Sequence, residues 1–354
     1  MTDNPTPAAG PICPSPLPEE ERIQLGHGSG GRMSARLLRE RFLPHLGNPI
    51  LNGLGDAAVV EVDSSRLAIS TDTFVVHPLE FPGGNIGTLA VNGTLNDLAM
   101  MGATPRYLTV GFVLEEGLEF AVLDRVLAEM ARTGREAGVP VITGDTKVVE
   151  RGKGDGIFIN TTGVGELGPD FSPAANRARP GDAVLVSGSL GQHGMAVMSV
   201  REGMAFQAEL KSDTANLHPL VEALRNTMGD AVHTLRDPTR GGMASALNEM
   251  AEAAGVGVLL DESALPISDP VRAACEMLGF DPLYVANEGL LVALVEEARA
   301  REALGALRAH PLGAQAARIG TVVEDHPGMV ALRTGIGGTR VVDMLPGDQL
   351  PRIC

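Results

Sequence analysis

The feature that most constrains this chain is an alternation of strand-like and helix-like runs on either side of one turn-rich break. β-branched and apolar runs at 56–62 (DAAVVEV) and 67–74 (LAISTDTF) precede a helix-compatible stretch at 85–101. A strand-like run at 106–114 follows. The next stretch, 119–137, places Phe120, Leu123, Leu127 and Met130 on one helical face and stops at Gly138. Strands at 139–143 and 156–166 complete an order β, β, α, β, α, β, β. The break, 172–181, carries two prolines and reads as a linker. The pattern then restarts, with strands at 182–187, 256–261, 290–295, 317–323, 329–333 and 340–342. Helices fall at 195–202, 217–228, up to 254, 270–278 and 296–309. An α/β (α+β) chain of two domains is expected: a proline-rich extension at 1–21, an N-terminal domain at 22–168, a C-terminal domain at 177–335 and a tail at 336–354.

Composition narrows the function. A formal charge of −16, no tryptophan and two tyrosines oppose a nucleic-acid partner, because the chain would repel phosphates and has little to stack on bases. No apolar run approaches a membrane span, and the first eighteen residues hold six prolines and no basic residue, unlike a signal peptide. No membrane association and a cytoplasmic location are therefore expected. Cys13, Cys275 and Cys354 form no Cys-x-x-Cys pair, so neither a zinc site nor a disulfide framework is indicated.

Four aspartates of the first block, Asp56, Asp72, Asp97 and Asp145, sit at strand ends or in polar pairs (GD, STD, ND, GDT). Each alone could be a cap or turn residue. Together they are the hard oxygen donors that magnesium bound to nucleotide phosphates requires. The glycine-rich 26–31 (GHGSGG) before a helix at 32–42 can offer backbone amides to an anion. Only three lysines occur; Lys147 follows Asp145 by two positions, so in extended backbone the two share a face, either as a surface ion pair or against a phosphate. In the second block Asp237 and Arg240 read most simply as a turn ion pair, and His193 as a cap or core histidine. Glu288, just ahead of an apolar strand, is either a plain strand-end residue or a carboxylate whose desolvation suits it to proton transfer. The final PGDQLPRIC ends on Cys354. That thiol is either incidental on a frayed end or a carrier on an arm that reaches roughly 30 Å.

Taken together, GHGSGG, STDTFVVHPLEFPGGNIGTLAVNGTLNDLAMMG, VITGDTKVV, RDPTRGG, ANEG and LPRIC resemble, in order and spacing, the HypE family of hydrogenase maturation factors. These belong to the aminoimidazole ribonucleotide synthetase-like (PurM-like) ATP-binding superfamily. The resemblance covers about residues 22 to 354. It implies a homodimer formed through an N-terminal domain that binds ATP and Mg2+, with a mobile tail. It also implies nucleotide and metal positions at Asp56, Asp72, Asp97 and Asp145, with Thr146, His27, Gly28, Gly30 and Gly31 completing the nucleotide site. Leu-Gly before DAAV departs from relatives with an acidic pair there, so one carboxylate can differ.

The implied activity is an ATP-dependent carbamoyl dehydratase. Cys354 would receive a carbamoyl group from a HypF-type carbamoyltransferase, become a thiocyanate, and pass cyanide to iron on a HypC–HypD complex; Lys147 and Glu288 match residues near that thiol. Phosphorylating the amide oxygen would turn loss of water into loss of phosphate. A small-molecule kinase or synthetase of the same superfamily and a non-catalytic maturation scaffold are the alternatives.

Overall fold

The computed structural model describes residues 31–62, 65–203, 210–345, 347, 350 and 352–354. The proline-rich extension, Cys13, His27, Gly28 and Gly30 lie outside the described residues. The chain begins with Arg32–Leu37 (α1), which continues through a wider turn at Leu38–Phe42 into Leu43–Leu46 (α2). Ala58–Val62 (β1), Ser65–Phe74 (β2), Glu80–Phe81 (β3), Gly84–Asn85 (β4), Ile86–Met100 (α3), Ala103–Glu115 (β5), Phe120–Ala137 (α4), Val141–Val149 (β6) and Ile157–Leu167 (β7) follow. Five of these strands form one sheet in the order β1-β2-β7-β5-β6. β2 and β7 pair along their whole length, from Arg66 opposite Leu167 to Phe74 opposite Ile159.

Strand periodicity explains what covers this sheet. On β7, Ile157, Ile159 and Thr161 are buried while Phe158, Asn160 and Thr162 alternate with them at partial exposure. The buried row faces α3, and Ile157 and Ile159 share a core with Val126 and Met130 of α4. Among the described residues nothing covers the other face, which leaves Ile69 and Tyr107 exposed. α3 itself is buried nearly all round, because it lies between the sheet, α4 and the second half of the chain. Its start is fixed by a reciprocal cap: Asn85 Oδ1 accepts from Gly87 N at 2.8 Å, and Thr88 Oγ1 accepts from Asn85 N at 2.9 Å.

The second half contributes Ala183–Val186 (β8), Gln192–Arg201 (α5), His218–Met228 (α6), Val232–Arg236 (β9), Gly242–Ala254 (α7), Gly257–Asp261 (β10), Asp269–Leu278 (α8), Val292–Val295 (β11), Ala300–Arg308 (α9), Ala317–Val323 (β12), Val330–Arg333 (β13) and Thr339–Val341 (β14). The sheet order is β14-β13-β10-β12-β8-β11-β9. β8 and β11 are continuous apolar runs because both their faces are covered, by α7 on one side and by α6 and α9 on the other.

Several boundaries differ from the sequence reading. The strand expected to end at Thr143 runs on through GDTKVV to Val149, because its parallel pairing with β5 continues to Glu115. α5 starts three residues early, at Gln192, and buries His193 in its first turn. The stretch read as tail from 336 begins with the strand expected at 340–342: Thr339–Val341 joins the second sheet as β14, and Val342 is buried.

Candidate active site

A cleft opens between the two halves, a space of roughly 330 Å³ including its mouth. One wall is built by β2 and α3, which supply Asp72, Thr73, Phe74, Gly93 and Asp97. Alternation along β2 turns Ser70, Asp72 and Phe74 toward α3. There the Ser70 hydroxyl sits 2.5 Å from Asp97 Oδ2 and 3.1 Å from the Asp56 carbonyl. Gly93 keeps the wall close: a Cβ on it would lie 2.9 Å from two ring carbons of Phe74. The opposite wall comes from the turn after β9, with Asp237, Thr239 and Arg240, and from Glu288 ahead of β11. Cys354 closes the ring of lining residues.

The cleft concentrates buried negative charge. Asp56 is held by Arg236 at 2.7 Å, and the same guanidinium pairs with Glu249. Even so, burial raises the Asp56, Asp72 and Glu249 carboxyls above their ordinary range. Asp97 is pushed well up, first by burial and then by the charges of Asp237, Asp72 and Asp56. Asp237 rises to about 7 for the same two reasons. Glu288, 3% exposed, is pushed well up by burial and by Asp237 and Asp213. Its Oε1 has no hydrogen-bond partner among the described residues. An unpartnered carboxyl oxygen with raised proton affinity, beside a thiol, is suited to accept a proton.

The tail is seated in this cleft. Val75 N donates to the Cys354 carbonyl at 3.2 Å and His77 N to the Arg352 carbonyl at 3.1 Å, so the last residues pair antiparallel with the segment after β2. Ile353 and Leu350 are buried in the core that includes Phe74, Val76, Met195 and Val285. Arg352 pairs with Asp155 at 2.6 Å. The Cys354 thiol hydrogen-bonds to Glu288, and burial followed by the Glu288 charge raises it well above the usual thiol range. It is held as a thiol rather than a thiolate.

Of the residues singled out from sequence, Asp56, Asp72, Asp97, Glu288 and Cys354 come together. Asp145, Thr146 and Lys147 do not join them within one chain. They lie on the edge strand β6, where Lys147 and Asp145 form the ion pair that their shared face suggests, both well exposed. Asp145 stands opposite Gly111, then Asn160, then Thr73, three strand spacings or roughly 14 Å from β2 and on the uncovered face. Gly31 caps α1 beside the Leu345 carbonyl and is not among the cleft's lining residues. Asp237 is buried with its acidity set by burial, then by Asp56 and Arg236, and Arg240 acts electrostatically on Asp72 and Cys354. The signal was present in RDPTRGG, an acidic residue between two arginines ahead of a buried helix.

Two family models cover most of the chain: the N-terminal domain of AIR synthase related protein matches residues 54–167 and its C-terminal domain residues 179–332. Carbamoyl dehydratase HypE of Azotobacter vinelandii is 53% identical over 332 residues, which are 94% of this chain and 97% of that protein. The chain belongs to the HypE family. A solved HypE in complex with ATP superposes with a TM-score of 0.79 at 51% identity, covering 93% of this chain and 98% of that one. A HypE from a HypE–HypF complex superposes with a TM-score of 0.83 at 43% identity, covering 87% and 99%. The two-domain mixed α/β architecture is therefore that of the AIR synthase-related HypE proteins.

Fit for a metal ion follows from the donor set. Among the described residues no three acidic, histidine or cysteine side chains converge into a cage. A magnesium ion needs less, one or two carboxylates with the remaining oxygens from phosphates and water. Asp72, raised by burial, and Asp97, raised by burial and then by the charges of its acidic neighbours, fit that role.

Proposed function

We propose that this chain is an ATP-dependent carbamoyl dehydratase that converts an S-carbamoyl group on its own Cys354 to a thiocyanate, the source of the cyanide ligand of NiFe-hydrogenase iron. The observation that carries this reading is the Cys354 sulfur hydrogen-bonded to Glu288 inside a cleft lined by Asp72, Asp97 and Asp237.

In the overall reaction the amide oxygen leaves as phosphate, both nitrogen protons depart and a carbon–nitrogen triple bond forms. The S–C bond persists throughout. Glu288, through its unpartnered Oε1, accepts a nitrogen proton once the oxygen is phosphorylated. Arg240, whose charge already reaches Asp72 and Cys354, stabilises negative charge on the transferring phosphoryl group. Burial of Ile353 beside the thiol excludes water that would hydrolyse the intermediate. Mg2+ held by Asp72 and Asp97, with Asp56 fixed behind them by Arg236, would neutralise the nucleotide phosphates.

The uncovered face of the first sheet supports a homodimer. A second copy laid over it would place Asp145, Thr146 and Lys147 at the interface, beside a shared nucleotide. Ile69→Lys on that face is expected to give monomers in sedimentation velocity; an unchanged dimer would place the interface elsewhere. The carbamoyl group comes from a HypF-type carbamoyltransferase and the cyanide goes to a HypC–HypD complex, both reached by the tail outside the cleft. Given ATP and a HypF-type donor, wild type but not Cys354→Ala should release phosphate in step with loss of water from the tail. Equal donor-dependent phosphate release by Cys354→Ala would favour a free small-molecule substrate.

A further inference from the structure

Among the described residues, the tail pairs with the Val75–His77 segment through the carbonyls of Arg352 and Cys354. The Ile353 carbonyl between them points the other way, into the core. There His193 Nε2 meets it at 2.7 Å, while His193 Nδ1 lies 2.8 Å from Ser212 Oγ. A carbonyl can only accept, so the single ring proton of this neutral imidazole sits on Nε2, and Nδ1 accepts from the Ser212 hydroxyl. The ring is fully buried and meets the edge of Phe81 at 5.3 Å and 84°.

We propose that His193, braced by Ser212, is a positioning residue that latches the terminal segment in the cleft and so sets how often Cys354 stands beside Glu288. Neighbouring residues serve the same end. Arg201, on the same helix α5, donates to the Arg352 carbonyl at 2.8 Å and also bonds the His77 carbonyl. Gly194 lets that helix approach, since a Cβ there would lie 2.5 Å from Val285 Cγ1 and 3.2 Å from Leu350 Cδ1. Ser212 is followed by Asp213, whose Oδ1 accepts from the Glu288 backbone N at 3.1 Å, so one segment positions both latch and base. Docking serves dehydration, and release serves transfer to and from partners; the His193 hydrogen bond, added to apolar burial and the other tail contacts, shifts that balance toward docking without preventing release.

The role in turnover rests on the dehydratase reading, but docking itself is measured without ATP or carbamoyl donor, so the two can fail separately. The full chain is treated with iodoacetamide and alkylation of Cys354 and Cys275 is followed in peptide digests. His193→Asn keeps an acceptor toward Ser212 but loses the Nε2 donor, and should raise the Cys354 rate about tenfold, as loss of one buried hydrogen bond implies. His193→Gln carries an amide nitrogen near the Nε2 position and should return the rate to within about threefold of wild type. Buried Cys275 should stay unreactive throughout. A Cys354 rate unchanged in His193→Asn, with Cys275 protected, would overturn the latch. If both cysteines become reactive the helix itself has opened, and Ser212→Ala decides: a selective rise at Cys354 supports the latch and no rise overturns it.

Discussion

The backbone N–H of Val75 donates to the carbonyl of Cys354 at 3.2 Å, which sets the last residue of the chain beside the end of the strand that carries Asp72. Apolar burial does most of the holding: Ile353 is 2% exposed and Leu350 8%. Each such side chain contributes about 1.5–3 kcal/mol. Ile353→Asp should therefore undock the tail while leaving the two sheets intact. Amide hydrogen exchange at Val75 and His77 is expected to speed up at least tenfold, with little change in Tm; unchanged protection would show that the tail is held by other contacts.

Arg236 joins the halves, bonding Asp56 at 2.7 Å and also pairing with Glu249. Removing it strands the buried Asp56 carboxylate and leaves the half-buried Glu249 without its partner. Arg236→Met is expected to lower stability by about 3 kcal/mol in denaturant titration, the usual cost of leaving buried charge unpaired. Arg106→Ala, which breaks an ion pair about half exposed on both sides, should cost under about 1 kcal/mol.

Burial lowers His193 to about 4, against an ordinary value of 6.5. The unfolded chain therefore binds a proton between about pH 6.5 and 4 that the folded chain refuses, and His193 withdraws stability as pH falls through that window, on the order of 3 kcal/mol at its end. Asp213, raised to about 6, and Asp237, raised to about 7, act in the opposite sense, because the folded chain binds their protons first. The difference between wild type and His193→Gln isolates the histidine. Wild type should lose stability relative to the variant on acidification from pH 6.5 to 4 in chemical denaturation, and a constant difference would contradict the assignment.

Much of this architecture was legible in the residues. Alternation in LAISTDTF reflects local periodicity, and the strand and the helix expected at 119–137 lie within a residue or two of their expected ends; the helix face is corrected, since Phe120 and Leu127 are exposed and Val126, Met130, Thr133 and Gly134 are buried. What escaped detection depends on the other half of the chain. The continuation of the strand through GDTKVV to Val149 was not legible because it depends on pairing with β5. His193 is the buried histidine that one of its two expected readings allows, but its partner could not be foreseen, and Asp237 looked like a turn residue, because Ile353 and Asp56 lie 160 and 181 positions away from them. That Cys354 rests in the cleft required the tertiary fold, since nothing local in PGDQLPRIC specifies a docking groove.

Asp237 now joins the cleft carboxylates that sequence alone singled out. Asp237→Asn should keep the fold and reduce ATP-dependent turnover at the tail on the order of a hundredfold, as loss of a group poised at the transferring charge does. Phosphate release with carbamoylated protein checks this, and near wild-type release would remove Asp237 from the chemistry.

Everything chemical depends on Cys354 being transformed where it lies, next to Glu288. The direct measurement is the mass of the C-terminal peptide from carbamoylated full-length protein, before and after addition of ATP and magnesium. Loss of the mass of one water in wild type, absent in Glu288→Gln, is the expected result. A carbamoylated peptide that keeps its mass while ATP is consumed would contradict the dehydratase mechanism.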